Sequence, residues 1–361
     1  MPANLKPLTS LRFFAALWVV LYHYWPGLGL ERPALIGKGY LGVELFFVLS
    51  GFILSHVYIE DFGAGRFKWR GFIRARIARV YPLHLATLAA VAGMGVLAVL
   101  MRHPVDPNVL ALRALPANLL MIHAWGFTDV AAWNHPSWSI SAEWFAYLSF
   151  PAFAWAAWRL RARPGLAMLA ALALLFGLYA GFRRLAGFPL TEATFAWGAL
   201  RIVPCFAYGC AMWLAFRAGA AARPGAAGAL ALVSAAAALA LAWAGADDAV
   251  TVALFGLLIL GLAGMSDAPG VLGAPGLVWL GEVSYAAYLV CIPWKMLFPK
   301  VAQGALGADP NHMPLLVWLI FLVALVPLSG LAHHAIERPA RNALRTLDLG
   351  RKGARIAAAA T

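Results

Sequence analysis

Residues 8–25 run LTSLRFFAALWVVLYHYW, an apolar stretch broken by two ionisable side chains, Arg12 and His23. A helix rises 1.5 Å per residue, so roughly 20 apolar residues cross the hydrocarbon core of a membrane. Arg12 and His23 are eleven positions apart. At 100° per residue that returns them to within about 20° of one face, roughly 16 Å apart along the axis. An ionisable group at such depth costs several kcal/mol or more, so a helix that keeps two on one stripe calls for partners or a function. The run has no A-x-A-like end and carries charge inside it, so it is expected to stay in the mature protein rather than leave as a signal peptide.

Working outward, nine further apolar runs follow, giving ten expected spans at about 9–28, 39–59, 78–101, 137–157, 165–183, 194–216, 225–244, 249–266, 277–298 and 314–336. The fold class is therefore all-α and polytopic. Composition agrees: 63% of the 361 residues are hydrophobic and 12% charged, against about 25% charged in soluble domains. The formal charge of +13 comes without a Lys/Arg-rich face that could track phosphates, so nucleic acid is not an expected partner, and the lipid bilayer is. With both termini in the cytosol, nineteen Lys and Arg fall on the inner side and eight on the outer, with Arg201 inside a span. Positive loops resist export, so this asymmetry sets the orientation. Segment 109–125 is apolar but short and carries Arg113 and Pro116. As an eleventh span it would turn Arg159, Arg161 and Arg163 outward, so it is expected to be interfacial or re-entrant. Residues 1–341 form the expected membrane domain and 342–361 a basic cytosolic tail. Cys205, Cys210 and Cys291 lie in apolar runs and are expected to be small buried hydrophobes, with no metal site.

Depth places the remaining ionisable groups in two layers. His23, Glu44 in span two and Glu143 in span four fall at similar depth in the outer third, with Ser139 one turn above Glu143. A carboxylate partner would orient the imidazole and stabilise its protonated form, as a general base requires. The same three residues serve equally well as a buried helix clamp. Near the cytosolic surface, Arg12, Arg76 and Arg79 gather with Ser284, Tyr285 and Glu337. Guanidinium groups bind phosphates bidentately, so a phosphorylated cosubstrate is expected there. For Arg66, Lys68, Arg70 and Arg74 ordinary snorkelling is the better account. His56, His84 and His123 are expected to be core or interfacial, and His135 to line an outer vestibule. Trp138 fits packing better than ligand binding.

Six motifs, in order, resemble the acyltransferase-3 family of integral membrane acyltransferases. They are the Arg12–His23 opening, GVELFFVLSGFIL (42–54) with Glu44 where Asp is usual, ARIARVYPLHL (75–85), WSISAEWFAYL (138–148), LGEVSYAAYL (280–289) and AIERPAR (335–341). The resemblance runs from Leu8 to Arg341. It implies a ten-helix enzyme of the bacterial cytoplasmic membrane that moves an acyl group, often acetyl, from cytosolic acyl-CoA to a hydroxyl of an envelope carbohydrate or lipid-linked saccharide. It also implies a catalytic His23, a required Glu143, and Arg12, Arg76 and Arg79 supporting the CoA donor, with Tyr285 beside them. Where the family commonly has His two residues after Tyr-Leu, this chain has Cys291, and no hydrolase-like domain is expected. With Glu44 or Glu143 holding the imidazole, His23 would be the base, or else the carrier of an acyl-histidine. Ser139, Trp138, Arg201 and His135 are candidates for gripping the acceptor. Without the resemblance, ten spans with intramembrane charges would suggest a secondary transporter, but no internal repeat supports that. A scaffold of an envelope polysaccharide system is the third reading.

Overall fold

The apolar runs fold as helices, and no strand occurs among the described residues of the computed structural model, which are 5–102, 106–128 and 130–344. In chain order the helices are α1 (Lys6–Tyr24), α2 (Ala34–Gly37), α3 (Gly42–Gly63), α4 (Trp69–Leu100), α5 (Leu115–Leu119), α6 (Ser137–Leu148) and α7 (Phe150–Leu160). They continue with α8 (Pro164–Ala186), α9 (Gly198–Arg217), α10 (Pro224–Trp243), α11 (Asp248–Gly264), α12 (Pro275–Leu306), α13 (Leu315–Val323) and α14 (Leu325–Ala332), which runs on as a π turn over His333–Glu337. Proline opens α8, α10 and α12, where its missing N–H is no loss. Asp247 caps α11 by accepting the Ala249 N–H.

Seven of these rods are long and apolar enough to cross a membrane: α3 with its lead-in from Gly39, α4, α8, α9, α10, α12 and the α13–α14 rod. The other three expected spans coincide with α1, with α6 and α7 together, and with α11, none of which is among the seven. The expected span 137–157 is broken after Ser149, where Pro151 in the first turn of α7 cannot continue the α6 hydrogen bonds. Segment 109–125 holds a 3-10 turn over Leu112–Ala114 and the five-residue α5, the latter about 7.5 Å long at 1.5 Å per residue, and does not span. Of the expected basic tail, residues 345–361 lie outside the described residues.

The centre of the bundle is α3 against α9. About 67% and 72% of their most apolar stretches are buried, against 28% for α8 and α10 at the periphery. The two backbones touch: a methyl at Gly209 would strike the Val48 carbonyl, and one at Gly51 the Phe206 carbonyl. Small residues are what let helices approach so closely in a membrane. Toward one end of this crossing Arg201 donates to both carboxylate oxygens of Glu44, with both side chains almost wholly buried. α1 lies on α12 in the same manner, the Thr9 carbonyl sitting over Gly281. Around the outside, Val96, Leu97, Leu169, Phe176, Leu232 and Val233 are exposed, an apolar girdle of the kind lipid covers.

Two stability tests follow from the α3–α9 contact. Gly209→Ala is expected to destabilise by about 1–3 kcal/mol, the usual cost of overpacking, whereas Gly177→Ala, with open space around it, is neutral or stabilising by up to about 1 kcal/mol. Arg201→Met leaves the Glu44 carboxylate buried without its partner and is expected to cost about 3–5 kcal/mol, while Glu44→Met/Arg201→Met together cost clearly less. Unfolding midpoints in detergent read both.

Candidate functional site

Two cavities lie end to end along α1. The one at the His23 end of α1, named outer for the sidedness expected from the sequence, has about 540 Å³ and is lined by His23, Arg32, His135, Glu192, Tyr288 and Lys295, with Trp138 and Arg201 in its wall. That volume lies in the range of small-molecule sites. His23 occupies the last turn of α1. Its ring stands 6.1 Å from that of His135 at 73°, and among the described residues neither of its nitrogens has a hydrogen-bond partner. His135 lies in the loop before α6, where burial and the neighbouring Lys295 lower its imidazole below the ordinary value and favour the neutral ring.

The opposite wall is a pinned loop. The turn Leu190–Glu192 is anchored by the Thr191 hydroxyl donating to Asp248, a carboxylate that also takes Lys38 at 2.6 Å and the Tyr40 hydroxyl at 2.9 Å. On the far side of Glu192 the Ala193 carbonyl accepts from Arg201 at 2.8 Å. Held at both ends, the loop presents Glu192 and Thr194 to the cavity.

The cavity at the Arg12 end of α1, named inner on the same expectation, has about 160 Å³ and is lined by Arg12, Arg76, Arg79, Glu143, Tyr147 and Tyr285. Its arginines differ in how far the protein already satisfies them. Arg79 is paired with Glu337 of the π turn and lies over the Tyr285 ring. Arg76 stacks over Tyr58, Phe72 and Tyr147, and its buried Nε has no partner. Arg12 has no carboxylate within ion-pairing distance among the described residues. The Tyr285 hydroxyl donates to the Val80 carbonyl at 2.7 Å, so it ties α12 to α4.

Val43 and Tyr288 line both cavities, so the two are neighbours across those side chains. At this junction the Ser139 and Tyr288 hydroxyls are hydrogen-bonded at 2.7 Å, and the Phe46 ring centre is 6.2 Å from the tyrosine's.

The expected contact of Glu44 or Glu143 with His23 is not formed. Glu44 is committed to Arg201, the helix-clamp alternative. Glu143 lies in the inner cavity, accepting from the Ser50 hydroxyl and facing Tyr147. Ser50 is six residues along α3 from Glu44, so Glu143 sits about 9 Å deeper than Glu44. The difference arises at the entry of α6, which follows a loop and does not start at the same level as α3. Arg201, expected to grip an acceptor, has its donors occupied by Glu44 and Ala193 and its guanidinium 4.6 Å over the Trp138 ring. It acts on the cavity through the loop it holds. Cys291 is buried, donates to the Tyr288 carbonyl and lines neither cavity. His84 and His123 stack on each other, buried, between α4 and segment 109–125. The residues that sequence reasoning missed are Glu192, Arg32, Lys295 and Tyr288. Tyr288 shares a helix face with Tyr285 and was findable. Glu192 and Arg32 sit in loops that leave no periodic signal.

The family profile described as an acyltransferase domain matches residues 7–334. The chain is 29% identical to the acyltransferase MdmB of Streptomyces mycarofaciens over 93% of this chain and 91% of that protein. It is 35% identical to protein 2 of the picA locus of Rhizobium radiobacter over 34% of this chain and 66% of that one. A putative O-acetyltransferase of Staphylococcus aureus (strain COL) is 32% identical over 23% of this chain and 13% of its own length. No solved structure matches. With its apolar helices and this profile over nearly its whole length, the chain belongs to the acyltransferase-3 family of membrane acyltransferases.

Proposed function

We propose that the protein is an O-acyltransferase of the bacterial cytoplasmic membrane that moves an acyl group, acetyl first among them, from cytosolic acyl-CoA to a hydroxyl of an envelope carbohydrate or glycolipid. The observation that carries this is the tandem of cavities, with Arg12 and Arg76 in one and His23 in the other, none of the three in an ion pair among the described residues, and Tyr288 between them. Ten passages with both termini in the cytosol, as the sidedness of the basic residues suggests, would put the arginine cavity toward the CoA pool.

The donor's phosphates dock at Arg12 and Arg76, with Arg79 held back by Glu337, and the pantetheine arm rises along α1 past Tyr288. The Arg12-to-His23 distance of about 16 Å along the helix sets the reach required. The acceptor hydroxyl oxygen then bonds to the thioester carbonyl carbon as its proton passes to His23, and the carbon–sulfur bond breaks. The CoA thiolate leaves and takes up the proton that His23 releases. Tyr288 at the junction, hydrogen-bonded to Ser139, offers its hydroxyl proton to the oxyanion of the tetrahedral intermediate. Among the described residues no carboxylate bonds the imidazole, and Glu192 across the cavity grips the acceptor. Glu143 balances the charge of the arginine layer. The two acyltransferase relatives support acyl transfer as the chemistry.

Transfer of radiolabel from acetyl-CoA by detergent-purified protein tests this reading. His23→Ala is expected to lower kcat by about 10²–10⁴-fold, the usual worth of a general base, with acetyl-CoA binding retained. Arg12→Ala is expected to raise the KM for acetyl-CoA about 10–100-fold, equivalent to losing a charge-assisted hydrogen bond of 1.5–3 kcal/mol. Wild-type rates in His23→Ala would overturn the assignment. Mass spectrometry of the ester missing from the envelope of a deletion strain would name acyl group and acceptor together.

A further inference from the structure

The outer cavity carries more positive charge than the reaction uses. Arg32, in the loop after α1, and Lys295, about two-thirds of the way along α12, both line it, and among the described residues neither has a carboxylate within ion-pairing distance. The Arg32 guanidinium lies 4.4 Å over the Tyr22 ring, which fixes its plane, and its Nε is buried without a hydrogen-bond partner. Arg201 adds no net charge because Glu44 neutralises it. Against the two cations the cavity sets a single carboxylate, Glu192, and the imidazoles His23 and His135. Two cations left partly buried and unmatched are costly unless a ligand completes them, and a guanidinium fork matches carboxylate and phosphate oxygens two at a time.

Resting on the acyltransferase reading, we propose that Arg32 and Lys295 form an anion subsite and that the acceptor carries a carboxylate or a phosphate group as well as the hydroxyl that is acylated. An acidic sugar or a phosphate-linked saccharide has this chemistry. The anionic group docks between Arg32 and Lys295, and the acceptor's hydroxyl is presented to His23 on the same cavity.

Scintillation proximity with tritiated glucuronate on detergent-purified full-length protein reads this directly, with unlabelled glucuronate, glucose 1-phosphate and glucose as competitors. At least one anion is expected to compete at concentrations roughly tenfold or more below glucose, the step that one charge-assisted hydrogen bond supplies. Which anion competes better distinguishes a carboxylate from a phosphate acceptor. Arg32→Gln and Lys295→Gln are each expected to weaken anion binding about tenfold or more by the same reasoning, whereas Arg32→Lys and Lys295→Arg, which keep the charge, retain most of it. Binding that survives in His23→Ala while acyl transfer is lost separates this subsite from the transfer chemistry. Should wild type bind the anion and transfer no acetyl, the acyltransferase reading falls and the subsite stands. Competition by glucose equal to that by both anions, or unchanged binding in Arg32→Gln/Lys295→Gln, overturns the proposal.

Discussion

A guanidinium and a carboxylate shut away from water, Arg201 and Glu44, hold the centre of this protein. Each would be prohibitively costly alone, and removing either strands the other. Their pairing lies beside a close helix crossing, where Gly51 and Gly209 bring the α3 and α9 backbones together. From the same arginine a third bond reaches the Ala193 carbonyl, so the buried pair also fixes the loop that faces His23. Packing of two helices and the shape of an outer cavity thus depend on a single ion pair.

Charge satisfaction separates scaffolding cations from working ones. Arg79 has Glu337, Arg201 has Glu44, and Lys38 has Asp248, and each of these pairs joins elements distant in sequence. Arg12 at one cavity and Arg32 with Lys295 at the other have no such match among the described residues, and all three line open space. In a low-dielectric interior an unmatched cation is an expense that packing alone does not recover. Its position at a cavity wall is therefore informative in a way that a count of arginines is not.

Much of the fold was legible because a membrane span is a local property of sequence. Apolar length marked the rods, Arg113 and Pro116 within a short run removed segment 109–125 from the set, and α5 proved too short to cross. The break between α6 and α7 at Pro151 was equally readable, yet hydrophobic length alone passed over it. Within the site, the Arg12–His23 stripe was legible because both residues ride on one helix and geometry within a helix is fixed. Placing Glu143 beside His23 failed because it compared depths across helices whose starting levels are set by loops.

The sequence by itself determined an all-helical membrane chain, its family, and the residues that line one face of the first helix, since each of these follows from composition, periodicity or order along the chain. Tertiary structure alone decided that Glu44 answers to Arg201, that Glu143 belongs with the arginines, and that Arg32, Lys295 and Glu192 share the cavity of His23. Those partnerships join residues as much as 263 positions apart, Arg32 with Lys295. Which buried charge meets which depends on how the helices are rotated and offset against one another, and no local pattern encodes that.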